Sequence, residues 1–292
     1  MPYLHLLLAM TFSATITVGG RLYNNKNQGR ANVSRLYNLM VPISGAIGWL
    51  VLYLTDLSFD ARVLLYSLLY GVFYTAFTVG MLGALKVGST SLTALIKQIA
   101  LVGVSVWGFA FWEAPFTAAG AVGIVLIVIS LCLCLLTKEK PDGEEKPHST
   151  LKWLPFAALI TVGNAGCAIV QRYQQMAFDY QHKNMFMFFG VLFAAVVCFF
   201  MALPEEKTNW KAAVKTSWTF PAISGLSSAF SNVFILLLVN SDMSPAIIYP
   251  GIAVGGLMIT TLISLVVFRE RLRPLQWCGM TVGAIALVLL NL

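Results

Sequence analysis

Stretches of roughly 20 residues with almost no charge recur along this 292-residue chain, and each is long enough to cross the ~30 Å hydrocarbon core of a bilayer as a helix. They fall at 3–20, 36–55, 61–83, 87–112, 115–137, 152–170, 184–203, 216–239, 245–268 and 275–291. In hydrocarbon every peptide N–H and C=O has to be bonded within the protein, so only helices and closed barrels span. Barrel strands alternate apolar and polar over about ten residues, whereas a run such as GAVGIVLIVISLCLCLL is apolar on every side. The sequence therefore predicts an all-α integral membrane protein with ten transmembrane helices. Composition agrees: 58% hydrophobic and 11% charged residues, with a mean hydropathy of +0.79, exceed what a soluble domain of this length can hide. The longest hydrophilic stretch, TKEKPDGEEKPHSTLK at 137–152, reads as a linker and leaves no room for a folded soluble domain.

The five cysteines, Cys132, Cys134, Cys167, Cys198 and Cys278, all fall in predicted spans without CxxC or His spacing, so they read as small packing residues and no metal is expected. Three scattered histidines, His5, His148 and His182, make no catalytic set, so no enzyme activity and no cofactor is expected. The first span lacks a basic n-region and a small-residue cleavage site and reads as a retained helix.

The net charge of +7 is a matter of topology here, not of nucleic acid. Of the 19 Lys and Arg, fifteen lie in the connections between spans 1-2, 3-4, 5-6, 7-8 and 9-10; three, Arg62, Arg172 and Lys183, lie on the other side, and Lys97 lies within a span. The positive-inside rule makes the fifteen cytoplasmic and places both termini outside, in a multi-pass protein of the plasma or inner membrane.

Five spans precede the linker and five follow it, and the halves match. FWEAPFTAAGAVGIVLIVISL pairs with FRERLRPLQWCGMTVGAIALVLL, setting Pro115 against Pro274 and Gly120 against Gly279. TFSATITVGGRLYNN pairs with TVGNAGCAIVQRYQQ, setting Thr11 against Thr161 and Tyr23 against Tyr173. An odd number of helices per copy forces opposite orientations, as in inverted-repeat transporters. The expected domains are a first five-helix repeat at 1–137, a charged linker at 138–151 and a second five-helix repeat at 152–292.

With these motifs the chain resembles the drug/metabolite transporter superfamily, in particular its ten-helix EamA-type members. The most specific part is the ending of each half, an acidic residue, Glu113 or Glu270, then a turn and a glycine-bearing helix. IIYPGIAVGGLMITTLISLVVFRERL also looks like the third-to-fourth helix passage of small multidrug resistance proteins, with Tyr249 at their tyrosine and Gly255 and Gly256 in the glycine-rich turn of helix. The resemblance implies export or exchange of small metabolites through a cavity between the halves.

Lys97, ten residues into its helix in TALIKQIAL, is the single deep charge. A lysine at mid-bilayer costs on the order of 2.5 to 3.5 kcal/mol on insertion scales and marks a functional position by default; the bland alternative is a packing role bonded to carbonyls or hydroxyls. Thr93 shares its face, one turn earlier. Tyr66, Tyr70, Phe73, Tyr74 and Phe77 lay rings along one face of the preceding helix, and Ser224, Ser227, Ser228, Ser231 and Asn232 lay hydroxyls and an amide along its repeat partner. Either stripe can equally be helix packing. The candidate substrate-binding residues are thus Lys97, Thr93, Tyr70, Tyr74, Phe77, Ser228, Asn232, Tyr249 and Asn164, with Gln171 on the same face as Asn164. All twelve acids lie in loops or at span ends, and LHLLLAMTFSATITVGG lacks the first-helix glutamate of small multidrug resistance proteins. The expected function is secondary transport, as exporter or exchanger, of a small anionic or zwitterionic metabolite such as an amino acid, by alternating access of two inverted halves. The alternative is a cation or multidrug exporter without an intramembrane acidic relay. The expected partners are a small-molecule substrate and the lipid bilayer, with no nucleic acid, and either a monomer or a homodimer.

Overall fold

The computed structural model describes residues 1–27, 33–87, 90–112, 117–135, 150–202, 210–267 and 273–289, and among them every regular element is helical. The order is α1 (Pro2–Lys26), α2 (Val33–Thr55), α3 (Val63–Val87), α4 (Thr90–Phe111), α5 (Ala118–Leu135), α6 (Thr150–Ala177), α7 (Lys183–Ala202), α8 (Trp210–Ser217), α9 (Thr219–Val239), α10 (Pro245–Val267) and α11 (Pro274–Leu289). Eight of these, α1 to α4, α6, α7, α9 and α10, are long and apolar enough to cross a membrane. Two more, α5 and α11, carry shorter apolar stretches, Ala118–Cys134 and Pro274–Leu289. At 1.5 Å per residue, such stretches come a few ångströms short of a typical hydrocarbon core. This is a polytopic helical membrane protein. The motif residues Pro115, Glu113 and Glu270, and most of the linker, lie outside the described residues.

The elements differ from those read in the sequence most at three places. The expected first span stops at 20, but α1 continues through RLYNNK to Lys26. The expected sixth stops at 170, but α6 continues through QRYQQ to Ala177. In both places side chains bond locally: Asn27 Nδ2 donates to Tyr23 O and to Ser217 Oγ, and Gln171 and Gln174 bond neighbouring groups. Polar residues that find partners can therefore extend a helix that hydropathy ends. The third difference is α8, a short helix carrying Lys211 and Lys215 that ends one residue before α9 begins.

The chain divides into two compact units, Met1–Thr75 with Ile169–Asn240 and Ala76–Ala168 with Ser241–Leu292. Both α3 and α6 therefore give one end to each unit.

In the first unit α9 packs on α1 and α2 through small residues. A methyl added to Gly225 would lie 2.4 Å from Val41 O and 2.6 Å from Ser44 Cβ, so only glycine permits this approach of α9 to α2. Ser231 Oγ donates to Ala9 O, and Tyr37 Oη donates to Ser224 Oγ at 2.8 Å. The N-terminal half of α3 meets α7, where Ser67 Oγ donates to Phe186 O and Tyr70 fills the space beside Gly190.

In the second unit α5 and α11 clasp one another. Ser130 Oγ donates to Gly279 O at 2.7 Å, Cys134 Sγ lies over Gln276 O, and Gly279 and Gly283, four apart on α11, face Cys134 and Ser130. A core of Leu95, Val102, Ile127, Leu131, Val254 and Ala286 ties α4, α5, α10 and α11 together. The C-terminal half of α3 packs on the start of α6 around Ala84, Trp153, Ala157 and Ile160. Hydroxyls without a tertiary role turn back on their own helices, as Thr161 does to Ala157 O and Thr260 to Gly256 O, which removes unsatisfied donors from the apolar phase.

Candidate functional site

Two polar clusters interrupt this apolar packing, one in each unit. In the second unit the polar residues include Lys97. Its side chain is partly buried in the first half of α4, and among the described residues no carboxylate pairs with it. Asn164 of α6 donates its Nδ2 to Lys97 O at 2.8 Å, so the helix carrying the lysine is fastened to α6 by the amide that sequence reasoning also singled out. One turn earlier Thr93 is fully buried, and its Oγ1 accepts the indole N–H of Trp153 at 3.1 Å. Tyr249 of α10 is buried, and its hydroxyl donates to Ala168 O at 3.5 Å. Lys97, Thr93, Asn164 and Tyr249 thus belong to one unit, with Asn164 and Tyr249 bonding to backbone and Thr93 to the Trp153 indole.

In the first unit Asn232 of α9 and Gln171 of α6 meet side chain to side chain, with Gln171 Nε2 donating to Asn232 Oδ1 at 3.3 Å. Asn232 Nδ2 in turn donates to Ser228 O, and Gln171 also touches Met187 Sδ. The serine stripe therefore splits by helical phase. Ser224 and Ser231 bond to Tyr37 and to α1, and Ser227 is buried beside them, which is a packing arrangement. Asn232 pairs with Gln171, and Ser228 contributes its backbone carbonyl to the Asn232 amide.

The aromatic stripe on α3 splits as well. Tyr70 is buried edge-to-face on Phe186 and beside Tyr74, within the first unit. Phe77 packs into the Trp153 and Ile160 core of the second. The five rings do not form one wall within either unit.

Sequence reasoning missed Gln174 and Gln175. Both have no exposed surface. Gln174 Nε2 donates to Gln181 O at 3.1 Å, and Gln175 Nε2 donates to Gln174 Oε1. Gln175 Oε1 is buried and accepts no hydrogen bond. With Gln171 they stand at i, i+3 and i+4 on one helical face. That spacing is the signal that was available, but three glutamines after an apolar run read as the end of a span.

The turn after α6 is tight. Asp179, Tyr180 and His182 all take left-handed backbone conformations, with φ of 48°, 62° and 56°, each costing of order 1 to 3 kcal/mol outside glycine. Bonds from Tyr180 N to Gln175 O and from Gln181 N to Phe178 O hold it. The connection between α2 and α3 carries Asp60, whose carboxylate accepts from the Arg62 side chain and backbone. Those bonds hold the Asp60 carboxyl at about 2, well below its ordinary value. The Arg62 guanidinium also lies over the Phe178 ring, 5.4 Å from its centroid.

A polytopic helical bundle with small-residue helix contacts and with amides and a lysine inside its units has the build of a membrane carrier. The sugar transport protein family matches residues 24–291, and the chain belongs to that family of membrane transporters. A crystal structure described simply as that of a protein is similar over 99% of this chain and 95% of its own, with a TM-score of 0.64 and 13% identity, which is a likeness of fold alone. No relative among the curated proteins matches.

Proposed function

We propose that this transporter is a secondary active exporter or exchanger of a small anionic or zwitterionic metabolite, such as an amino acid, and that Lys97 holds the anionic group. The observation that carries the reading is a lysine at the eighth position of the membrane helix α4 with no carboxylate beside it among the described residues. An ammonium left in such a place is costly unless it serves a ligand, and a carboxylate or phosphate forms charge-assisted bonds with it. The repeated sequence endings support two inverted halves, 1–137 and 152–292, as the moving parts of an alternating-access cycle, with ten membrane crossings and the ten-helix EamA-type plan. The basic residues favour the plasma or inner membrane with both termini outside.

A second reading is a neutral sugar. The family's description favours it, and the Gln171 and Asn232 amides are the donors and acceptors that hydroxyl groups need.

The test is thermal unfolding of the purified protein with carboxylates, amino acids, sugar phosphates, neutral sugars and quaternary amines, because a bound ligand stabilises the folded state. An anionic or zwitterionic compound that stabilises the wild type and not Lys97→Ala supports the first reading. Neutral sugars that stabilise Lys97→Ala as well but not Asn232→Leu support the second. Quaternary amines stabilising both proteins equally would make the lysine structural and the protein a cation exporter.

A further inference from the structure

We propose that the end of the first unit formed by the close of α1, by α8 and by the start of α9 binds an anionic phospholipid of the cytoplasmic leaflet, with the exposed Arg21, Lys26 and Lys215 taking its phosphate. Binding does not depend on what the transporter carries; only the choice of leaflet rests on the charge count.

The helices that frame this surface are long enough to bring it to the headgroups. α9 has 21 residues, which at 1.5 Å each is about the thickness of the hydrocarbon core, so α8, attached ahead of it, falls beyond the apolar phase. The division between them follows from Pro221, which has no N–H to give Ser217 O and whose ring crowds that carbonyl; the helix is broken at Trp218. Two contacts then hold this break against the end of α1. Asn27 Nδ2 donates to Ser217 Oγ at 3.0 Å, with both residues buried, and Lys26 Nζ stands over the Phe220 ring, 5.5 Å from its centroid. The last turns of α1 and α8 are thereby fixed together, although Asn27 and Ser217 are 190 residues apart in the chain.

What the corner presents is one sign of charge beside an interfacial ring. Arg21, Lys26 and Lys215 are exposed, Lys211 stands one turn before Lys215 on α8, and neither RLYNNKN nor WKAAVKTSWTF contains an acid. The acids ahead of α8, Glu205 and Glu206, lie outside the described residues. Trp218, three residues after Lys215, is 54% exposed, and exposed tryptophan suits the headgroup level of a bilayer. A short basic helix that ends in such a ring is drawn to the interface of anionic membranes, and each cation near that surface adds to the attraction. A lipid is favoured over a soluble phosphate because these cations stand where α1 and α9 leave the apolar phase, so a phosphate held there has room for acyl chains alongside the helices.

The experiment is thermal unfolding of the full-length purified protein in a neutral detergent, titrated with phosphatidylglycerol, with phosphatidylcholine or, as a soluble phosphate, with glycerol phosphate. A saturable rise in unfolding temperature is expected with phosphatidylglycerol alone, shrinking as salt is added. Lys26→Gln and Lys215→Gln, both at exposed positions, should each weaken the apparent affinity for phosphatidylglycerol about fivefold, and together about 25-fold. Lys152→Gln with Arg273→Gln removes the same number of exposed cations from the basic connections of the second unit and should leave the response unchanged. Equal weakening in the two double variants, as charge spread over the whole face would give, overturns the proposal. So does the absence of a response to phosphatidylglycerol, or a rise of the same size with phosphatidylcholine or glycerol phosphate.

Discussion

Individual side chains carry most of what distinguishes this bundle from inert membrane helices. Lys97 and Asn232 were legible in the sequence because a charge or an amide inside an apolar run stands out against hydropathy. Gln174 and Gln175 were not, because their polarity falls where a span is expected to end, whereas α6 continues to Ala177 and both side chains are fully buried. Chemistry at position 97 separates two roles: Lys97→Arg should keep part of the ligand-induced stabilisation if charge alone is read, although the planar guanidinium does not reproduce an ammonium's geometry. Lys97→Ala should lose that stabilisation while its unliganded unfolding temperature changes little, and a collapse of the unliganded protein would point to packing. Asp60 gives a pH prediction with a defined sign. Its folded value is depressed by the Arg62 bonds, so its contribution is present above the ordinary carboxyl value and is lost as pH falls through about 2. The Arg62 partner is well exposed, so the effect is small; Asp60→Asn should flatten the acid limb of the unfolding temperature against pH and leave neutral stability nearly unchanged.

At the scale of elements, the helices were readable and their contacts were not. Hydropathy located ten of the eleven, since a run apolar on all sides has one structural solution in lipid. It could not say which small residues touch. Gly225 sits against the α2 backbone, whereas a methyl at Gly103 would meet nothing within 4 Å. Gly225→Ala should therefore lower stability by about 1 to 3 kcal/mol through overpacking, while Gly103→Ala should be neutral or gain up to about 1 kcal/mol from helix propensity. Denaturant titration in detergent measures both, and similar values at the two sites would count against the α2 and α9 contact. The pairing of α5 with α11 rests on the same device at Gly279, where an added methyl lies 2.6 Å from Cys134 Sγ. The serine stripe shows why spacing alone misleads: residues on one helical face divide between a packing surface and a polar cluster according to what the neighbouring helices present, and that information is not local.

For the whole molecule, the charge asymmetry makes a statement that can be checked in intact cells. Phe59, well exposed between α2 and α3, is on the outward side if the basic connections are cytoplasmic. Phe59→Cys in an otherwise cysteine-free protein should react with a membrane-impermeant maleimide added from outside; labelling only after lysis would invert the topology.

The repeat read in the sequence divides the chain once, at the linker, while the compact units divide it three times, at Thr75, Ala168 and Asn240. Synthesis runs in one direction, so this interleaving sets an order of assembly. The opening helices leave the ribosome long before residues 169–240 that complete their unit, and the last two helices are needed to close the other. Nothing made up to the linker is a finished body, and the early helices have to wait in the membrane, held by their own backbone bonds, until the second half of the chain arrives to enclose them.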